Sequence, residues 1–320
     1  MKKHFITFAV SILLASLTGF TGAASAQTAT TFNSPDDAVK GLVAAVRAND
    51  RAAIDRILAP NGGKLRSGDP VQENEERNIF VGLADDKTEL VKVNDNRYSV
   101  AFGNDGWLFP VPIVKRGVQW AFDSNEGLNE MLLRRVGRNE LDTMLVCAAY
   151  AVAQWDYFLD GDWNGDGVQE FAQKLVSSSG QKDGLYWPTT GGEDPSPLGP
   201  LAAMAHAEGY RATRNDSGGV NPAPFHGYYL RVLKAQGPNA PGGKYSYLIN
   251  GRMISGFALV AYPAVYGSSG VMTFIVNQQG RVYQKNLGPN TEKLARAMAV
   301  YNPDSTWEPV DYEAALLDQP

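Results

Sequence analysis

The sequence predicts an α+β protein in which helices followed by antiparallel strands occur twice. Three observations carry this expectation. Residues 34–83 hold three stretches with apolar side chains at helical spacing, and short β-branched and aromatic runs follow up to residue 122. Residues 128–158 form the longest helical pattern, and four strand-like runs fill the last third of the chain. The composition is that of a globular chain: 44% of the 320 residues are hydrophobic and 20% charged, while 33 glycines and 18 prolines interrupt it too often for a coiled coil.

The N-terminus reads as an export signal. Lys2 and Lys3 precede an apolar run from Phe5 to Leu17, and Ala24-Ser25-Ala26 fits small-x-small cleavage. This predicts a mature chain from about Gln27, periplasmic or secreted. No cysteine follows the apolar run, so a lipoprotein anchor is excluded, and no later apolar run is long enough to span a membrane. Cleavage moves the formal charge from −5 to −7, which leaves no basic footprint for nucleic acid. The single cysteine, Cys147, excludes a disulfide framework and a multi-cysteine zinc site. It reads either as a buried small hydrophobe or as an intermolecular bridge.

In the mature chain, Ser34-Pro35-Asp36-Asp37 marks a helix start: Ser as N-cap, Pro at the first position, carboxylates at the positive end of the dipole. Ala38, Leu42, Ala45 and Val46 give that helix an apolar face, and Asn49-Asp50 ends it. Ile54, Ile57 and Leu58 suggest a second helix closed by Pro60, and Gln72 to Leu83 a third. Strands are expected at Glu89–Val93, Arg97–Phe102 and Val118–Phe122, with Asp95-Asn96 as a hairpin turn. From Leu128 to Phe158, Met131, Leu132, Val136, Leu141, Leu145, Ala148, Val152 and Trp155 recur at three- and four-residue steps, and Gly137 suggests a bend. Residues 160–224 are rich in loop formers but contain Tyr186 and Trp187, which predicts packed irregular structure. Tyr228–Leu233, Gly256–Tyr262, Val271–Asn277 and Arg281–Leu287 read as strands, and Thr291 as the cap of a short helix through Met298. The expected organisation is a domain over 34–127, a second over 128–310 with an insertion at 160–224, and a tail at 311–320.

Several blocks together resemble a known family. They are Gly106-Trp107, Phe109-Pro110-Val111-Pro112, Arg134-Arg135-Val136-Gly137-Arg138-Asn139-Glu140 and Lys182-Asp183-Gly184-Leu185-Tyr186-Trp187-Pro188. Ser196-Pro197-Leu198-Gly199-Pro200, His226-Gly227-Tyr228-Tyr229 and Tyr266-Gly267 with Gly270-Val271-Met272-Thr273-Phe274 complete the set. In this order they resemble the bacterial family called domain of unknown function 2950, which implies an exported protein and carries no activity, cofactor or catalytic residue. By element order the first half is similar to nuclear-transport-factor-2-like or cystatin-like folds. The second half, with Asn139-Glu140, Ala153-Gln154 and the following hairpin, is similar to heads of type IV pilin-like proteins. Unlike the assembly helix of a pilin, this helix is internal and carries Glu140, Asp142 and Asp156.

Candidate chemistry is sparse. Asp160-Gly161-Asp162-Trp163-Asn164-Gly165-Asp166-Gly167 opens like a calcium loop, with Asp162, Asn164 and Asp166 offering alternate oxygens and Asp160 beside them. Its twelfth position, Gln173, lacks the bidentate carboxylate, so the loop reads as a calcium site or as a Gly/Asp/Asn turn. Otherwise no cofactor is expected. His226 could act as a general base with a carboxylate partner, or as a structural histidine bonded to a backbone carbonyl. Arg134, Arg135 and Arg138 could clasp an anion or form an interdomain salt-bridge network. Ser179-Gly180-Gln181-Lys182 matches S-x-x-K but lacks its companion motifs. Aromatics including Trp187 and Tyr228 form either a binding platform or core. The expected function is a noncatalytic envelope protein that binds another protein or a surface polymer. The alternatives are an envelope hydrolase using His226 and a calcium-stabilised module.

Overall fold

The computed structural model describes residues 29–310, apart from 164, 190–192, 194, 209 and 211–222. The stretch read as an export signal and the 311–320 tail lie outside the described residues. Three helices open the chain: α1 (Pro35–Arg47), α2 (Arg51–Ile57) and α3 (Pro70–Asp86). Each starts on an oxygen-bearing side chain. Ser34 Oγ accepts from the Asp37 N–H, Asp50 from Ala53, and Asp69 from Val71 and Gln72.

A four-stranded antiparallel meander follows: β1 (Thr88–Asn94), β2 (Arg97–Phe102), β3 (Trp107–Arg116) and β4 (Gln119–Phe122). The sequence reading anticipates three of these strands and misses β3, whose Pro110 and Pro112 argue against a strand in the middle of a sheet. The structure resolves the conflict locally. β4 pairs only with Ile113–Arg116, and the β2–β3 register shifts between Tyr98 and Val100, so the prolines sit beside a bulge where β4 does not reach. Leu42, Val100, Phe102, Phe109, Ile113 and Phe122 form the core between this sheet and the helices.

The helix α4 (Ser124–Asp160) runs unbroken for 37 residues, with Gly137 inside it and no break between two helices there. It packs on β3 near its start and on the second sheet further along. Gly127 permits the first contact: an added Cβ would sit 2.5 Å from the Pro110 carbonyl oxygen. The spacing of Leu145, Val152 and Trp155 identifies the helix but not its packed face. These three are exposed, while Cys147, Tyr150, Ala151, Ala153, Gln154 and Tyr157 are buried. A helix apolar on both sides gives no sequence signal for which side meets the sheet.

The second sheet is antiparallel and five-stranded. Its strands β5 (Tyr228–Leu233), β6 (Ala258–Pro263), β7 (Met272–Asn277) and β8 (Tyr283–Asn286) form a meander, with the two-residue β9 (Glu308–Pro309) beside β8. Every residue of β6 is buried, and since successive side chains alternate, both faces of the sheet are covered. The short helix α6 (Thr291–Ala297) begins one residue earlier than expected: Asn290 is the N-cap, and the Thr291 hydroxyl donates to the Gly288 carbonyl.

The irregular stretch after α4 is packed, as Tyr186 and Trp187 suggest. Gln154, fully buried on α4, donates to the Ala172 carbonyl at 2.8 Å and accepts from its N–H at 2.9 Å. Phe171, Leu185 and Trp187 are buried. This stretch also contains the helix α5 (Gly199–Glu208).

Polar contacts join the two halves. The Asp69 carboxylate, 1% exposed, caps α3 with Oδ1 and with Oδ2 accepts from the Tyr210 hydroxyl at 2.7 Å and the Gly227 N–H at 3.0 Å. Beside it, Gln72 donates to the Asn139 amide oxygen at 2.5 Å, and Asn139 donates to the Ser269 carbonyl at 2.8 Å. Gly227 has φ +74°, and a Cβ there would lie 2.7 Å from Asn139 Nδ2 and 2.9 Å from Ser269 Cβ, so only glycine fits. Replacing Asp69 by Ala should lower unfolding free energy by about 3 kcal/mol, because it removes a cap and orphans buried donors. Urea denaturation checks this; a loss under about 1 kcal/mol would show that the halves are held elsewhere.

Candidate functional site

A cavity of about 920 Å³ lies between α1, α2, α3, β3 and α4. Its buried wall includes Leu42, Leu58 and Phe109, with half-buried Val46, Ile54, Phe80, Leu83, Trp107 and Met131 around them. Amphipathic helices laid over a curved sheet produce such a space when their apolar faces do not fully meet. The volume falls in the range of pockets that hold small molecules.

Arginines surround this apolar space. Arg134, Arg135 and Arg138 project from α4 and all line the cavity. Arg135 holds the Glu76 carboxylate through Nε at 3.3 Å and Nη2 at 2.8 Å, and also donates to the Leu65 carbonyl. Arg138 reaches the same carboxylate at 2.7 Å, whereas Arg134 pairs with Glu130 one turn earlier on its own helix. Arg135 and Arg138 therefore form with Glu76 an ion-pair network between α4 and α3. It joins the stretch expected as the second domain (128–310) to the first (34–127), as anticipated near Gly137, while Arg134 stays on its own helix. Arg135 and Arg138, three residues apart on α4, are the two that reach α3.

His226 occupies a turn before β5, in the left-handed region at φ 46°. Among the described residues its ring meets no backbone carbonyl, contrary to the structural reading, and it lies between two carboxylates. Nδ1 is 3.3 Å from Asp142 Oδ2 on α4, and Nε2 is 3.2 Å from Glu208 Oε2 at the end of α5. The side chain is 18% exposed. Burial pulls the imidazole pKa down, but the hydrogen bond and charge of Asp142, with the charges of Glu208 and Asp69, outweigh it and leave a net rise. Burial also raises the Glu208 carboxyl, with Glu75 and Asp142 adding to the rise and His226 opposing it. Glu208 also lines the cavity, so it stands between the imidazole and the apolar space. Neither carboxylate partner is predictable from sequence, since Asp142 and Glu208 lie 84 and 18 residues away and no motif links them.

The remaining candidates are placed as follows. In the acidic loop, Asp162 accepts the Asp166 N–H at 2.9 Å and the Gly167 N–H, while Asp166 accepts from Val168 and forms an ion pair with Arg252. Asp160 is exposed at the end of α4, and Asn164 lies outside the described residues. Among the described residues, no group of three His, Cys, Asp or Glu side chains is arranged to hold a metal ion. Tyr228 is fully buried and its hydroxyl donates to the Met272 carbonyl at 3.0 Å, so it is core and not a binding surface. Trp187 is 6% exposed and packs with Trp163, at a centroid distance of 5.0 Å, beneath the Lys182 ammonium. It lines a cleft of about 490 Å³ together with Ser179, Lys182 and Tyr186. The S-x-x-K residues form a loop there, without the helical turn that would set lysine against serine. Cys147 is fully buried, and burial pushes its thiol pKa up to about 12, which makes it inert.

The fold and cavity define an α+β protein with a ligand-sized apolar chamber beside an arginine cluster. Residues 29–310 match the family described as protein of unknown function (DUF2950), and the chain belongs to that family. No curated protein and no solved structure matches it. No helix among the described residues is long and apolar enough to cross a membrane.

The raised His226 pKa gives a signed expectation. Its stabilising contribution is complete below its ordinary value near 6.5 and is lost as pH rises through the higher folded value. Chemical denaturation from pH 6 to 9 should therefore show falling stability, with a shallower fall in His226→Gln. Equal slopes would remove the Asp142–His226–Glu208 contacts from the stability of the fold. Chelator should leave the melting midpoint unchanged, because Asp166 already pairs with Arg252; a lower midpoint would restore the calcium loop.

Proposed function

We propose that this is an exported, noncatalytic binding protein whose first half encloses a small molecule with an apolar body. The cavity carries the reading: about 920 Å³, walled by Leu42, Leu58, Phe80, Leu83, Phe109 and Met131, in a chain long enough to have filled it. A concave, largely apolar cleft of this size is the form that small-molecule sites take. Export is supported by the Lys2-Lys3, Phe5–Leu17 and Ala24-Ser25-Ala26 pattern. A small apolar ligand replaces the protein or polymer partner suggested by aromatic content, because Trp120, Trp187, Tyr228 and Tyr262 are buried.

A hydrolase reading draws on one observation, the imidazole of His226 within 3.3 Å of Asp142 and 3.2 Å of Glu208. Both ring nitrogens face carboxylates, so neither is turned towards a hydroxyl or thiol nucleophile. The arrangement favours a charged histidine that ties α4, α5 and the β5 turn together.

The test is titration of the mature protein with N-phenyl-1-naphthylamine, a neutral apolar fluorophore. Saturable enhancement is expected, and Val46→Trp, which fills the cavity from α1, should weaken it at least about tenfold while the protein still melts cooperatively. Undiminished binding in a folded Val46→Trp protein would move the ligand site out of this cavity.

A further inference from the structure

The charges around the cavity do not balance. Six arginines line it: Arg51, Arg66, Arg77, Arg134, Arg135 and Arg138. Among the described residues, Arg51 pairs with Glu73, Arg66 with Asp55 and Arg134 with Glu130, while Arg135 and Arg138 share the single Glu76 carboxylate. No carboxylate among the described residues pairs with Arg77. Its guanidinium meets only the neutral side-chain amides of Asn74 and Asn78, and its buried Nε lacks any hydrogen-bond partner. Arg77 is on α3 immediately after Glu76, so the uncompensated guanidinium lies next to the shared pair in sequence and lines the same cavity. Glu208 also lines the cavity but is turned to His226, so among the described residues Arg77 has no carboxylate and Arg138 has only a share of Glu76. Unpaired charge at an apolar boundary is costly unless a counter-ion completes it, and guanidinium groups favour the planar, bidentate oxygens of carboxylate or phosphate.

We infer that the ligand is a small anionic amphiphile, its apolar tail in the cavity and its acidic head on Arg77 and Arg138. This inference rests on the cavity reading above and adds the chemical class of the ligand. The head supplies the anion that Arg77 lacks and Arg138 only shares, and the tail occupies the space bounded by Leu42, Phe80, Leu83 and Phe109. The chain's overall formal charge of −5 disfavours adsorption to an anionic membrane surface, so the amphiphile is taken up as a single molecule.

The experiment compares 11-(dansylamino)undecanoic acid with its methyl ester on the mature wild-type protein and on R77Q/R138Q. Both substitutions keep a polar side chain, and Arg135 remains on Glu76, so the variant should melt like wild type. The acid should bind at least about tenfold more tightly than the ester, and the double variant should lose that preference while its affinity for the ester is unchanged. Equal binding of acid and ester by wild type would overturn the anionic head while leaving the cavity as a neutral binding site. Binding of neither probe would overturn the cavity reading itself. An acid preference that survives in a folded R77Q/R138Q protein would overturn the assignment to these arginines. Cosedimentation with phosphatidylglycerol vesicles that disappears in the variant would assign them to a membrane surface and overturn the proposal.

Discussion

The Asp69 carboxylate is the contact on which the joining of the two halves depends. Buried to 1% exposure, it caps α3 with one oxygen and accepts from Tyr210 and Gly227 with the other. A buried carboxylate is tolerable only when its oxygens are filled by donors, and here the donors come from opposite halves of the chain. The helix that closes the cavity is thereby tied to the turn that carries His226. Asn139, 0% exposed, extends this arrangement by linking Gln72 on α3 to Ser269 in the second half.

The second constraint is α4. It contributes to both apolar cores and supplies the arginines beside the cavity, and it also supplies the Asp142 carboxylate beside His226. A single rigid helix of 37 residues therefore fixes the geometry between the arginine cluster and the imidazole. Its buried face combines small side chains, Cys147, Ala151 and Ala153, with the large Tyr150 and Tyr157. The apolar side chains left outside, Leu145, Val152, Trp155 and Leu159, show that its amphipathicity is not what orients it.

The elements were largely legible in the sequence because they follow local rules. Ser34 caps the first helix as its side-chain chemistry predicts, and the strand pattern at Tyr228–Leu233 survives intact. Expectations failed where a local rule met a tertiary exception. Pro110 and Pro112 lie in a strand because a bulge and the short reach of β4 remove the hydrogen bonds they cannot make. Gly137 continues a helix because both flanking segments are held against other elements. The site was less legible. The arginines were visible as a cluster, but their partner Glu76 was not, and the cavity is a property of four helices and a sheet that no single segment reveals.

What the sequence determined alone is set by neighbours within a few residues: helix caps such as Ser34 and turn glycines such as Gly280. Tertiary structure decided everything that depends on residues distant in the chain. It placed His226 between Asp142 and Glu208, gave Glu76 to two arginines, and left Arg77 with no carboxylate among the described residues. The physical reason is that hydrogen bonding within a turn or a strand pair is encoded by spacing, whereas electrostatic partnership and empty volume depend on how whole elements meet.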